Sequence, residues 1–211
     1  MSDAPYRGDL IALVADKNME YAVRGIIARE RALGIRAIEY VVHVHPEKDP
    51  GCLLRGHDFL GSFTRQFEHA LLLHDRDGCG QENKSREELE QEIEGRLSLS
   101  GWGERAAAIV LDPELEIWVW SDSPHVDSVL NWQGKEPDLR SWLNAENLFL
   151  ENQVKPERPK EAMDRALREV RKPRSSSLYL QLAQQVSFQR CIDPAFSKLK
   201  TTLQHWFPIE S

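Results

Sequence analysis

The sequence has few cysteines and no long apolar run. Its 211 residues include only three cysteines, Cys52, Cys79 and Cys191, which are scattered along the chain. So small and odd a number argues against a disulfide framework and predicts a cytoplasmic protein. The longest apolar run, residues 106–111, is far shorter than the ~20 residues that cross a bilayer, so we expect no membrane segment. The first ten residues have neither a basic cluster nor an apolar stretch, so we expect no export signal.

The charge is divided unevenly. The net charge of −7 argues against a protein that coats nucleic acid without specificity. Residues 151–211 carry 11 basic and 7 acidic side chains, whereas residues 1–150 carry 16 and 27. Excess carboxylates can bind metal ions and a basic tail can bind phosphates, although a solvated surface can have the same balance.

The hydrophobic pattern predicts an α/β fold. Four short apolar runs without helical periodicity predict buried strands, at residues 9–15, 35–45, 69–75 and 106–112. Helices are predicted between them, over residues 17–33, 53–67 and 84–99, with a turn at residues 47–51. This alternation predicts four mainly parallel strands with helices on both faces. Right-handed crossovers then bring all four carboxyl ends to one edge, where ligands bind in such folds.

The second half of the chain has a different pattern. We expect residues 1–122 to form the α/β domain and residues 123–211 to form a helical cap and a C-terminal helical extension packed on it. Five of the six tryptophans lie where the pattern changes, at positions 102, 118, 120, 132 and 142. A cap over the sheet would bury most of them, whereas stacking on nucleic-acid bases is the alternative.

Acidic residues follow three of the four predicted strands. They are Asp16 after the first strand, Asp75 and Asp77 after the third, and Asp112, Glu114 and Glu116 after the fourth. At one edge of a sheet, such carboxylates would repel one another and raise their pKa values, a cost that a bound divalent cation removes. Oxygen ligands suit Mg²⁺ and Mn²⁺ equally, so the pattern predicts a site for either ion.

Each acid also has a purely structural interpretation. Asp16 and Asp112 are suitable N-caps, and Asp77 with Gly78 is a common turn pair. Asp75 and Asp77 would point the same way on an extended backbone. Glu114 and Glu116 would face opposite sides of a helix, so at most one is expected to join the site. The joint occurrence of acids at successive strand ends favours the metal site.

One motif resembles a known family. In LLLHDRDGCG, residues 71–80, the acids and glycine fit the pattern acid-x-acid-x-x-Gly. With an acid after the first strand, this resembles the Toprim fold of primases, topoisomerases and overcoming-lysogenization-defect nucleases. ELEIWVWSD, residues 114–122, is similar to a Glu-x-Trp stretch of small Toprim-like proteins from bacterial antiphage defence loci. The whole chain resembles an accessory protein of a methylation-associated defence system, and the Toprim resemblance covers residues 9–122.

The resemblance implies a nuclease-like site. Asp75 and Asp77 would hold Mg²⁺ or Mn²⁺, and Glu116, favoured over Glu114, would complete the ligand shell. Asp16 would orient or deprotonate water. The expected function is metal-dependent processing of phosphodiesters in antiphage defence, with nucleic acid and other defence proteins as partners and an oligomer left open.

Two features support an alternative function. The Toprim family normally has glutamate after the first strand, whereas Asp16 is one methylene shorter. The second feature is the tryptophan-rich middle of the chain. No Walker-type Gly-Lys-Ser/Thr motif occurs either, so an ATPase domain like that of the overcoming-lysogenization-defect nucleases is not expected in this chain. The alternative is a non-catalytic binding or adaptor subunit of a defence complex.

The basic tail supplies candidate phosphate contacts, namely Lys155, Lys160, Lys172 and Arg174. A solvated helix face explains these four residues equally well.

Two further candidate sites have weaker patterns. His43 and His45 share one face of a predicted strand and could bind zinc with Cys52 or His57, but the spacing fits no common zinc finger. Cys79 could act as a nucleophile, but no phosphatase-like loop follows it.

Overall fold

The computed structural model describes residues 6–150 and 152–209. Residues 1–5, 151, 210 and 211 lie outside the described residues, and with them the extreme ends of both predicted domains and half of the segment examined for an export signal. The strands of the described part are β1 (Gly8–Val14), β2 (Tyr40–Val44), β3 (Phe67–Asp75) and β4 (Ala106–Leu111). Its α-helices are α1 (Lys17–Ile27), α2 (Glu30–Leu33), α3 (Lys48–Gly61), α4 (Arg86–Leu97), α5 (Pro124–Val129), α6 (Leu139–Ala145), α7 (Pro159–Glu169), α8 (Ser176–Gln185) and α9 (Pro194–Trp206).

The four strands form one parallel sheet in the order β2-β1-β3-β4. Val14 pairs with Val44 on one side and with Leu73 on the other, and Asp75 pairs with Leu111. The carboxyl ends of all four strands therefore meet at one edge. The predicted α/β class with a parallel sheet is confirmed.

Helices cover both faces of the sheet. Helix α1 connects β1 to β2 at one side of the sheet, whereas α3 and α4 connect to strands that lie in the opposite direction across the sheet. Because such connections are right-handed, α1 lies on one face and α3 and α4 lie on the other. The packing agrees, because α3 contacts α4 while α1 packs against α8. Strands β1 and β4 are almost wholly apolar because both of their faces are buried, as is usual in parallel sheets.

Several predicted boundaries are wrong. The segment predicted as one helix over residues 17–33 is two helices, α1 and α2, with a break at Ala28–Arg29. The strand predicted at residues 35–45 is shorter in the structure, where it pairs with β1 over Tyr40–Val44. The pairing begins with Leu10 of β1 opposite Tyr40. The helix predicted over residues 53–67 spans Lys48–Gly61, so the turn predicted at residues 47–51 is largely its first turn.

The C-terminal helices pack on the sheet and share its core. Helix α8 contacts α1, and α9 contacts β4. The indole nitrogens of three buried tryptophans donate to this part of the chain: Trp118 to Asp193 Oδ1, Trp120 to the Pro159 carbonyl and Trp132 to the Ala166 carbonyl. Trp102 is also buried, and Trp142 is partly buried against the core. The expectation that the tryptophans belong to the core is confirmed.

Among residues 6–150 and 152–209, the structure contains no helix with the length and apolar character needed to cross a bilayer.

Candidate acidic site at the carboxyl edge of the sheet

Asp75 is the centre of a group of acids. It is the last residue of β3, a central strand of the sheet. Its backbone N–H donates to Asp49 Oδ1 at 2.9 Å, which brings the first turn of α3 against the end of β3. Asp49 is a site residue that the sequence analysis missed, because its segment was interpreted as a turn. The pair Asp49-Pro50 was the available signal, since acids and proline both favour the first turn of a helix.

The side chain of Asp75 has one buried oxygen without a partner. Oδ1 is shielded from solvent and accepts no hydrogen bond from any described residue. Burial raises the pKa of Asp75 well above its ordinary value, and the nearby carboxylates of Asp49, Glu116, Asp16 and Glu114 raise it further, in that order. The structure thus brings the acids of three strand ends and of α3 within electrostatic range of one another.

Glu116 is buried and already has two donors. It lies in the 3₁₀-helix Leu115–Trp118 that follows β4 and is 2% exposed. Its Oε1 accepts hydrogen bonds from the Arg174 guanidinium and from the Tyr179 hydroxyl. Arg174 also donates to Asp164 Oδ1 at 3.0 Å. The buried charge is therefore compensated from within the chain.

Glu114 is bound by a lysine. Its Oε1 accepts from the backbone N–H of Lys160 at 3.0 Å, and its Oε2 lies 3.3 Å from Lys160 Nζ. Burial and the Glu116 carboxylate raise the pKa of Glu114. Glu114 precedes the 3₁₀-helix in an extended conformation, and the carboxylates of both Glu114 and Glu116 raise the pKa of Asp75.

The other acids that follow the strands, Asp16, Asp77 and Asp112, have different roles. Asp16 Oδ1 accepts from the Met19 backbone N–H at 2.8 Å, so its expected role as the N-cap of α1 is confirmed. Asp77 is exposed in the loop after β3. The extended backbone that would align it with Asp75 ends at Asp75, so that expectation is wrong. Asp112 is exposed and pairs with Arg76.

The four basic residues predicted to contact phosphates all have partners in this chain. Lys155 Nζ donates to the Ile117 carbonyl at 2.8 Å, and Lys172 Nζ donates to the Val129 carbonyl at 2.5 Å. Lys160 and Arg174 bind the two glutamates described above. Part of the basic tail thus neutralises the acidic edge, a long-range pairing that local sequence patterns do not reveal.

The zinc alternative has no supporting geometry. The His43 ring packs against Phe59 and Phe63, with centroids 5.6 and 5.7 Å away. His45 Nδ1 accepts from the Glu47 backbone N–H.

The cysteines are poorly suited to act as nucleophiles. Burial raises the pKa of the Cys52 thiol and, to a lesser extent, that of the Cys79 thiol, which disfavours the thiolate that a nucleophile needs.

The acidic group meets part of the requirement for a metal ion. Throughout the described residues, no three His, Cys, Asp or Glu side chains are arranged to hold a metal ion together. The predicted set therefore does not assemble as a three-ligand site here, since Glu116 binds Arg174 and Asp77 lies in the loop. The unpartnered Asp75 oxygen among other carboxylates does fit a cation such as Mg²⁺, which takes one or two carboxylates and keeps several waters.

Comparison of the chain with protein-family models, with curated proteins and with solved structures gives no match.

Proposed function

We propose that this protein binds a divalent cation at Asp75 and uses it to process phosphodiesters of nucleic acid in the cytoplasm, as part of bacterial antiphage defence. The observation that carries the proposal is the buried Asp75 oxygen, which has no partner among the described residues and lies within electrostatic range of other carboxylates. The Toprim-like motif at residues 71–80 supports the same assignment.

Asp75 would hold Mg²⁺ or Mn²⁺, with Asp16 and Asp49 as the nearby carboxylates. The ion would supply charge neutralisation for a phosphate group and activation of water. Asp49 positions Asp75 by accepting the hydrogen bond from its backbone, and α1 positions Asp16 through the N-cap bond. Lys160 and Arg174 limit the negative charge of the edge, which allows a phosphate to approach.

A cleavage assay tests the proposal. The full-length protein is incubated with end-labelled DNA and RNA, single- and double-stranded, with Mg²⁺ or Mn²⁺, alone and with proteins encoded beside it. We expect cleavage that is lost in Asp75→Asn. Asp112→Asn is the matched control, because Asp112 is an exposed acid near the same edge that pairs with Arg76, and it should leave cleavage unchanged. Equal cleavage by wild type and Asp75→Asn would contradict the proposal.

A second candidate function is a binding or adaptor subunit that does not cut. The specific observation in its favour is the Glu116–Arg174–Tyr179 cluster, in which the expected third ligand is already compensated. Such a cluster stabilises the attachment of the C-terminal helices to the sheet edge without any ion.

The two candidates differ in whether defence needs the carboxylate of Asp75. If cells that carry Asp75→Asn resist phage as well as wild type does, the binding function is favoured. Loss of resistance, with normal amounts of folded variant, favours the catalytic function.

A further inference from the structure

A second cleft lies in the C-terminal half, away from the acidic edge. A cavity of about 400 Å³ opens between the loop after Trp120, helices α5 and α6, and Arg190. A neighbouring hollow of about 270 Å³ shares Trp120, Arg140 and Arg190 with it. Their combined size is within the range of small-molecule sites. None of the residues that line the cleft belongs to the acidic group around Asp75.

Two arginines at the cleft have donors to spare. The Arg140 guanidinium lies over the Phe149 ring, 4.5 Å from its centroid, and forms no salt bridge with any carboxylate of the described residues. Arg190 Nη1 donates to the Asp122 carbonyl at 2.9 Å, which leaves its other nitrogens available. A guanidinium that lies over an aromatic ring and has no carboxylate partner is well suited to bind a phosphate oxygen pair.

Two serine hydroxyls beside the arginines also lack partners. Ser121 and Ser123 line the cavity, are 9% and 7% exposed, and have hydroxyl oxygens with no hydrogen-bond partner among the described residues. Buried hydroxyls are normally satisfied, so a pair without partners requires an explanation. Each hydroxyl can donate one hydrogen bond after rotation about its side-chain bond, and an anion in the cleft would accept it.

The acids of the cleft are not equivalent. Both Asp138 oxygens are occupied by Ser141, at 3.0 Å from its backbone nitrogen and 2.7 Å from its hydroxyl. The Asp127 side chain is half-buried, has no hydrogen bond among the described residues and interacts electrostatically with Asp138 and Arg140. Asp127 is therefore an acceptor available to a ligand hydroxyl.

We propose that this cleft binds a sugar phosphate of nucleotide size, with the phosphate on Arg140 and Arg190 and a sugar hydroxyl on Asp127. Arginine forks recognise phosphate oxygens, and a carboxylate commonly accepts the hydroxyl of a ribose. The proposal does not rest on the cation site, because it uses a separate set of side chains. The ligand is either a free nucleotide or the phosphorylated end of a strand.

Calorimetric titration of the full-length protein without divalent cations tests the cleft. The probes are adenosine monophosphate, ribose phosphate, unphosphorylated adenosine, and a short DNA oligonucleotide with and without a terminal phosphate. We expect adenosine monophosphate to bind and adenosine not to bind. Binding of the oligonucleotide only when it is phosphorylated would identify a strand end as a ligand, whereas binding of the monophosphates alone would identify a free nucleotide.

Variants locate the binding. Arg140→Ala and Arg190→Ala should each weaken binding of adenosine monophosphate about tenfold or more. Arg158→Ala is the matched control and should bind as wild type does, since Arg158 is an exposed arginine whose salt bridge within the described part of the chain is to Glu161. Asp75→Asn should also bind normally, which separates this site from the cation site. The proposal would be overturned if no phosphorylated probe binds at millimolar concentration, or if Arg140→Ala and Arg190→Ala bind adenosine monophosphate as tightly as wild type does.

Discussion

Removal of Arg174 tests how the C-terminal half is held to the sheet edge. In Arg174→Ala, the Glu116 carboxylate keeps the Tyr179 hydroxyl but loses its compensating charge. Breaking a buried ion pair from one side costs about 3–5 kcal/mol, because the remaining charge stays desolvated. The Glu116 side chain is 2% exposed and the Arg174 side chain is 25% exposed, so some solvent reaches the arginine. We therefore expect the low end of the range, about 3 kcal/mol.

The assay is urea and thermal unfolding of the purified chain at neutral pH. For a protein of this size, about 3 kcal/mol corresponds to a fall in Tm of about 6–12 °C. Arg165→Ala is the control, because the Arg165 side chain is 46% exposed and lies 3.5 Å from Glu146. An exposed pair of this kind contributes about 0–1 kcal/mol.

A second variant distinguishes lost charge compensation from lost packing. Adding Glu116→Gln to Arg174→Ala removes the uncompensated charge, so the double variant should be more stable than Arg174→Ala by about 1 kcal/mol or more. If Arg174→Ala is no less stable than Arg165→Ala, or if the double variant gains nothing, the electrostatic account of this contact is refuted.

Three further predictions concern the acids and the packing of the C-terminal helices. The pKa of Asp75 is raised in the folded state, so the folded protein binds this proton more tightly than the unfolded chain does, and stability present at acid pH is lost as pH rises. Without divalent ions, the contribution of Asp75 to the free energy of unfolding should thus fall as pH rises above 3.8, the ordinary pKa of this carboxyl, and Asp75→Asn should remove this fall; parallel profiles of the two proteins in urea would contradict it. Asp16→Ala should cost about 1 kcal/mol through loss of the N-cap, whereas Asp16→Asn should cost little, and equal losses in thermal unfolding would show that capping is not its structural role. A Cβ at Gly25 would lie 2.7 Å from Ala183 Cβ, so Gly25→Ala should destabilise by about 1–3 kcal/mol, while Gly95→Ala, with no atom within 4 Å, should be neutral or stabilising; similar unfolding curves for the two would contradict the described packing of α1 on α8.

The sheet could be predicted because burial on both faces leaves a strong local signal. Residues 9–15, 69–75 and 106–112 are short apolar runs, and each overlaps an observed strand. The strand at residues 35–45 was overextended because β-branched residues mark a tendency, whereas the observed strand begins where a partner is present, at Tyr40. In a parallel sheet with right-handed crossovers, the carboxyl ends of the strands meet at one edge. For that reason Asp16, Asp75 and the acids after β4 could be expected there.

The details of the site could not be predicted because they depend on contacts between distant parts of the chain. Arg174 meets Glu116 across 58 residues, and no local pattern records that pairing. Asp49 was missed because a proline and a glycine beside it indicate a turn as readily as a helix start. Asp77 was expected beside Asp75 because side chains two residues apart on a strand point the same way. Strand β3 ends at Asp75, however, and the chain turns away before Asp77.

The central claim is that the acidic edge binds a divalent cation through Asp75. Titration of the full-length protein with Mn²⁺, followed by electron paramagnetic resonance of the free ion, measures this directly. We predict that wild type removes one Mn²⁺ from solution per chain, that excess Mg²⁺ returns it, and that Asp75→Asn does not bind it. Mn²⁺ that stays free in the presence of wild type, or that binds equally well to Asp75→Asn, would contradict the claim.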